Sequence, residues 1–146
     1  MKKVLLASMF VLVMYLPLMA SDANWLTNYE EALKKAKEEK KPVLINFSGS
    51  DWCGWCIRLD KEVFSTGLFS EFARDNVILF VADFPRNKKI SDEEKMQNEK
   101  LAKKYNIEGF PTVIVIDSNE NILLRTGYRP GGAKEYIKHL NENLKK

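Results

Sequence analysis

Beyond residue 24 the chain alternates between amphipathic stretches and short apolar runs. From Asn24 to Lys41, the residues Trp25, Tyr29, Leu33 and Ala36 recur at helical spacing among lysines and glutamates, which predicts an opening helix. Thr27 or Asn28 can cap it, Glu30 and Glu31 suit its first turn, and Pro42 ends it. Val43 to Phe47 is short and rich in branched residues, as a buried strand requires. Ser48-Gly49-Ser50 is a loop, Ile57 to Val63 regains helical character, and Leu68 to Arg74 is a second short helical piece. Val77 to Asp83 predicts another buried strand, followed by a basic loop from Pro85 to Lys89. Ser91 can cap a helix running through Tyr105, with Glu94 completing a capping box. Thr112 to Ile116 and Ile122 to Arg125 form a hairpin across the polar turn from Asp117 to Asn121. After a loop from Gly127 to Gly132, Ala133 to Leu144 closes the chain as an amphipathic helix. The order α-β-α-β-α-β-β-α predicts an α/β fold: a central mixed sheet, parallel in part, with helices on both faces and an antiparallel edge.

The N-terminus follows a different pattern. Lys2 and Lys3 precede an apolar run from Val4 to Leu16, broken by Pro17 and ended by Leu18-Met19-Ala20. This is the layout of a secretory signal peptide over residues 1–20, with the domain occupying residues 24–146. The run is short for a span of about 20 residues, so an uncleaved membrane anchor is the lesser alternative. Export places the mature protein in a bacterial periplasm or a similar compartment that permits disulfides.

Composition narrows the function classes. Hydrophobic residues make up 45% and charged residues 29% of the 146 positions, an ordinary mix for one soluble domain. The formal charge of +3 falls to about +1 once Lys2 and Lys3 leave with the leader. So balanced a chain has no electrostatic case for binding nucleic acid or an anionic membrane.

Candidate chemistry lies at Cys53-Gly54-Trp55-Cys56, between a strand and a helix. The spacing lets the two sulfurs close a small ring across one helical turn. Unpaired N–H groups and the positive dipole end of the helix stabilise a thiolate on Cys53, which is expected to be the exposed nucleophile. Cys56, one turn in, is expected to be the shielded resolving thiol; thiol–disulfide exchange needs that asymmetry. A zinc site would want a second Cys or His pair, but His139 stands alone. Haem attachment would want His after the second cysteine, where Ile57 stands. A purely structural disulfide would be unusual at this spacing. Asp51 would slightly raise the Cys53 pKa and Arg58 slightly lower it.

Trp52-Cys53-Gly54-Trp55-Cys56 after the VLINF strand, together with Gly109-Phe110-Pro111-Thr112 before the TVIVI strand, resembles the thioredoxin superfamily. The likeness covers roughly Trp25 to Leu144. It is strongest to secreted bacterial thioredoxin-like proteins with a WCxWC site, and extends to the C-terminal domain of thiol:disulfide interchange proteins. The resemblance implies a thioredoxin-like fold and a cis peptide before Pro111, beside the cysteines, where the Phe110 backbone would pair with an extended substrate segment. Trp52 and Trp55 would flank the thiol, Trp55 as an apolar contact for substrate. Cytosolic thioredoxins bury an Asp under the cysteines and pair it with a Lys on the next strand. The matching position here is Asn46, and Val77 to Asp83 contains no Lys. An amide can hydrogen-bond but cannot take a proton at neutral pH. The Cys56 proton would then pass to water, a substrate thiolate or Glu108.

The function these features imply is a periplasmic thiol–disulfide oxidoreductase that reduces protein disulfides through Cys53 and Cys56. Gly54-Trp55 carries no positive charge to favour oxidation, so isomerase or oxidant activity is the alternative, with a non-catalytic adaptor as a further one. No nicotinamide, flavin or metal site is expected. Electrons would come from outside, for which the resemblance suggests a membrane thiol:disulfide interchange protein. The expected partners are disulfide-bearing proteins, and the expected state is a monomer.

Overall fold

The computed structural model describes residues 23–144; the expected signal peptide, residues 1–20, lies outside the described residues. Five strands form one sheet in the order β1-β3-β2-β4-β5. They are β1 (Trp25–Leu26), β2 (Val43–Ser48), β3 (Ile78–Asp83), β4 (Thr112–Ile116) and β5 (Ile122–Thr126). The pairs β1/β3 and β2/β3 are parallel, while β2/β4 and β4/β5 are antiparallel. The helices are α1 (Tyr29–Glu39), α2 (Gly54–Leu59), α3 (Gly67–Asn76), α4 (Asp92–Lys104) and α5 (Gly132–Leu144). The mixed α/β architecture is the expected one.

Strand β2 is buried along its whole length, and its alternation divides the core. Val43, Ile45 and Phe47 pack with Tyr29, Ala32, Ala36, Leu101 and Tyr105 from α1 and the α4 region. Leu44 packs on the opposite face with Leu59, Val63, Phe64, Phe69, Tyr136 and Leu140. Asn46 and Ser48, two and four residues on, continue that second face.

Helix starts follow local chemistry. Asn28, Thr66 and Ser91 each accept the N–H of the residue three positions on, which gives α1, α3 and α4 their first bonds. The opening helix begins later than expected. Trp25 and Leu26 form an edge strand opposite Leu79 and Phe80, and Trp25 packs on Phe64 at 5.1 Å. The helical spacing of Trp25 and Tyr29 misled because Asn28 caps the helix between them, leaving an aromatic residue to satisfy a parallel edge. Helix α2 widens into a π-helical turn over Asp60–Phe64, buried through Val63 and Phe64.

A hydroxyl network ties α1, α4 and the β4–β5 turn together. Tyr29 Oη donates to Glu120 at 2.8 Å and lies 2.7 Å from Tyr105 Oη, so Tyr105 is the donor in that contact. Burial and these bonds push the Tyr29 pKa far up, and the hydroxyl stays neutral. Lys104 completes the network on Glu120.

Phe80 has no exposed surface and joins β3 to the α1 face. Phe80→Ala is expected to cost about 3–5 kcal/mol, whereas Leu123→Ala on the exposed β5 should stay within about 0.5 kcal/mol. Denaturant titrations with unchanged slope measure both. Equal losses at the two positions would contradict this division of the core.

Candidate active site at the end of the central strand

Strand β2 delivers the chain into a tight turn before α2. Gly49 accepts the backbone N–H of Cys53 at 2.8 Å and of Trp52 at 3.2 Å. A side chain at Gly49 would meet the Trp52 ring at 2.5 Å, so only glycine lets the indole lie this close. Ser50 binds Asp83 at the end of β3 through both its N–H and its hydroxyl. Trp52 Nε1–H donates to the Phe84 carbonyl at 2.7 Å.

The loop after β3 returns the grip. The Asp51 carboxylate accepts the backbone N–H groups of Arg86, Asn87 and Lys88 at 2.9, 2.7 and 2.7 Å. These donors, Arg86 first, hold the Asp51 carboxyl below its ordinary range. The Arg86 guanidinium lies over the Trp52 ring at 3.8 Å. The basic side chains from Arg86 to Lys89 are exposed, as a solvated loop predicts, while the backbone beneath them turns inward to Asp51.

Cys53 and Cys56 form a disulfide with Cα atoms 5.2 Å apart. Cys53 is the N-cap of α2, and its sulfur accepts the Cys56 N–H at 3.3 Å. The expectation of an exposed Cys53 is corrected: in this state Cys53 is 7% and Cys56 4% exposed. Folding the disulfide ring over the first helical turn covers both sulfurs, so what separates them is position on the helix. Cys53 caps α2, whereas Cys56 lies inside it.

The register of β2 with β4 sets Thr112 opposite Phe47, which brings residues 110 and 111 to the sheet end that carries the disulfide. The Phe110–Pro111 peptide is cis. Phe110 packs on Trp52 at 6.0 Å and on Phe84 at 5.1 Å. Trp55 is 56% exposed and stands against Tyr128 at 5.0 Å. Arg58 covers both rings and pairs with Glu62 at 2.7 Å, while the Tyr128 hydroxyl donates to the same carboxylate. The two contacts, Arg58 first, lower the Glu62 pKa. The two charges expected to tune Cys53 are thus engaged elsewhere, Asp51 by amides and Arg58 by Glu62. Glu108 is exposed beside Asn106.

Behind the disulfide lies a cleft of about 250 Å³, which sequence reasoning missed. Its lining includes Asn46, Ser48, Ser50, Cys56 and Asp60, closed by Trp25 and Val81. Val81 stands opposite Asn46 in register, so no cation reaches the amide from β3. Asn46 is 9% exposed, and its Oδ1 is buried without a hydrogen-bond partner. The sequence pointed only to Asn46, matched through the resemblance to the residue buried under the cysteines, and not to the cleft. Among the described residues, no three His, Cys, Asp or Glu side chains group to hold a metal, and no helix is long and apolar enough to cross a membrane.

The profile of a family described as the thioredoxin-like domain matches residues 29–143. The chain is 33% identical over 129 residues to the disulfide bond reductase DsbH of Chlamydia pneumoniae, covering 88% of this chain and 77% of that protein. It is 29% identical over 108 residues to the thiol:disulfide interchange protein DsbD of Yersinia pestis, covering 72% of this chain but 16% of that protein. The solved structure of a DsbH oxidoreductase superposes with a TM-score of 0.83 at 33% identity, over 94% of this chain and 95% of that one.

The Asp51 contacts carry a pH dependence. A depressed carboxyl pKa stabilises the folded state above the unfolded value of about 3.9, and that contribution is lost as pH falls through the folded value. Amide-exchange protection at Arg86, Asn87 and Lys88 is therefore expected to weaken below about pH 4. In Asp51→Ala it should already be weak at neutral pH, with little change on acidification. Protection equal to the parent chain in the variant would show that the carboxylate does not order this loop.

Proposed function

This chain belongs to the thioredoxin-like domain family, and on that footing we propose that it is an exported thiol–disulfide oxidoreductase that reduces disulfides in other proteins. The observation that carries this reading is a closed Cys53–Cys56 disulfide with Cys53 at the N-cap of a helix. Its similarity to a relative named as a disulfide bond reductase supports the reducing direction.

In the reduced protein, Cys53 is the thiolate. The free N–H groups at the start of α2 stabilise its charge. It attacks one sulfur of a substrate disulfide, forming a mixed disulfide and releasing the other substrate sulfur as a thiolate. Cys56 then loses its proton and attacks Cys53 Sγ. The Cys53–Cys56 bond forms, the mixed disulfide breaks, and the second substrate sulfur leaves. Two electrons pass to the substrate; one of its thiolates takes up the proton lost by Cys56 and the other takes one from solvent. The exposed face of Trp55 and the backbone at Phe110 and Pro111 would receive the substrate chain, with Trp52 held beneath as their support. Open space lies beside Gly54, where a side chain would meet nothing within 4 Å.

The closed pair must be reopened by an external dithiol. A membrane thiol:disulfide interchange protein is the donor this reading supplies. The leader-like residues 1–20 support a periplasmic or otherwise exported location, where such a donor and oxidised clients coexist.

Two measurements test the proposal. The chain should accelerate insulin reduction by dithiothreitol, and Cys53→Ser should abolish that acceleration. Cys56→Ser should accumulate mixed disulfides with client proteins, while Cys53→Ser should not. No acceleration by the parent chain would favour a binding adaptor, and equal trapping by both variants would overturn the roles assigned to the two sulfurs.

A further inference from the structure

The buried Oδ1 of Asn46 has no donor while the disulfide is closed. Buried acceptors are rarely left so, because the lost contact with water is not recovered. The side chain lies on the β2 face that carries Leu44 and Ser48, and it shares the wall of one cleft with Cys56. Its partner across β3 is Val81, which has nothing to donate. Ser48 and Ser50 also line the cleft, but the Ser50 hydroxyl is already committed to Asp83.

A disulfide carries no hydrogen on either sulfur. Reduction adds two electrons and two protons, and with Cys53 held as a thiolate, one proton goes to solvent and the other stays on Cys56. Reduction therefore creates a new donor, the Cys56 S–H, in the wall that holds the unmatched acceptor. We propose that Asn46 is a redox-dependent positioning residue: its Oδ1 accepts a hydrogen bond from the Cys56 thiol in the reduced protein and has no counterpart in the oxidised one. The bond stabilises the dithiol state selectively. It raises the reduction potential of the pair and keeps Cys56 protonated and turned towards β2 until a mixed disulfide forms. A neutral amide suits the task, since it accepts from the thiol without competing for its proton.

This deepens the oxidoreductase reading and rests on the pair cycling between its two states. Its test is separable, because the potential of the Cys53–Cys56 pair can be measured whether or not insulin is reduced. Asn46→Leu removes the acceptor and should make the pair harder to reduce. The equilibrium constant against glutathione should fall by about three- to tenfold, tenfold being about 30 mV for a two-electron couple. Asn46→Asp keeps an acceptor oxygen at the same place, and its potential should not fall below that of the parent chain. In a Cys53→Ser background, where Cys56 is the remaining thiol, the infrared S–H stretch should move to higher frequency when Asn46 becomes Leu. An unchanged potential in Asn46→Leu would overturn the proposal, as would an equal fall in Asn46→Asp or an S–H stretch that does not respond to position 46.

Discussion

The start of helix α2 is the constraint on which the site depends. A helix exposes unpaired N–H groups only in its first turn, so the chemistry of Cys53 is set by which residue caps the helix. Here that residue is Cys53 itself, with its sulfur on the Cys56 N–H. The cap is fixed from behind by the Gly49 carbonyl, which holds the Cys53 N–H, and from the side by Asp83, which holds Ser50. Asp83 ends a strand hydrogen-bonded directly to β2, so the turn is referenced to the most buried part of the sheet. A shift of one residue in this turn would put glycine or tryptophan at the cap and leave both sulfurs in the wrong place.

Charge is kept away from the pair by the same contacts that order the surrounding chain. Asp51, one residue from Trp52 and two from Cys53, would oppose a thiolate if its carboxylate faced the sulfur. Three amide N–H groups draw it instead towards the loop after β3. Arg58 would favour a thiolate, but Glu62 and the rings of Trp55 and Tyr128 hold it. The helix start is then the main source of positive potential at Cys53. The exposed aromatic surface is tied together by the same contacts: Trp55, Tyr128 and Arg58 form one cluster held by Glu62.

The fold was legible because it is written in local chemistry. The VLINF and TVIVI runs, the caps at Asn28 and Ser91 and the polar turn at Asp117 each act within a few residues, and each lies where the sequence places it. The cysteine motif could be placed between a strand and a helix from local pattern, whereas Pro111 could be set beside it only through the resemblance to the thioredoxin superfamily. Features that join distant segments were not legible. Asp51 is an unremarkable acid until backbone 35 residues away closes on it. Trp25 matches a helical period by accident, and only the Asn28 cap shows that the helix starts after it. The exposure of Cys53 was misjudged because a helix start suggests access, whereas the closed ring and its surroundings cover both sulfurs. The cleft behind Cys56 has no sequence signal beyond the polar break in an otherwise apolar strand.

That polar break has a thermodynamic meaning. Position 46 lies mid-strand between Val81 and Val113, where a branched apolar side chain would fit the pattern on either side. An unpaired buried amide oxygen costs about 1–3 kcal/mol against such a residue. The open cleft is a further departure from tight packing, and it lies on the same face of β2 as this amide. The opposite face has no equivalent: α1 and the α4 region close over Val43, Ile45 and Phe47, and the Tyr29–Tyr105–Glu120 network seals them. One face of the central strand is thus closed by packing and a hydroxyl network, while the other holds an unsatisfied acceptor, free space and Cys56 together. Stability that the first face supplies offsets the cost of a buried acceptor on the second, left without a partner while the disulfide is closed.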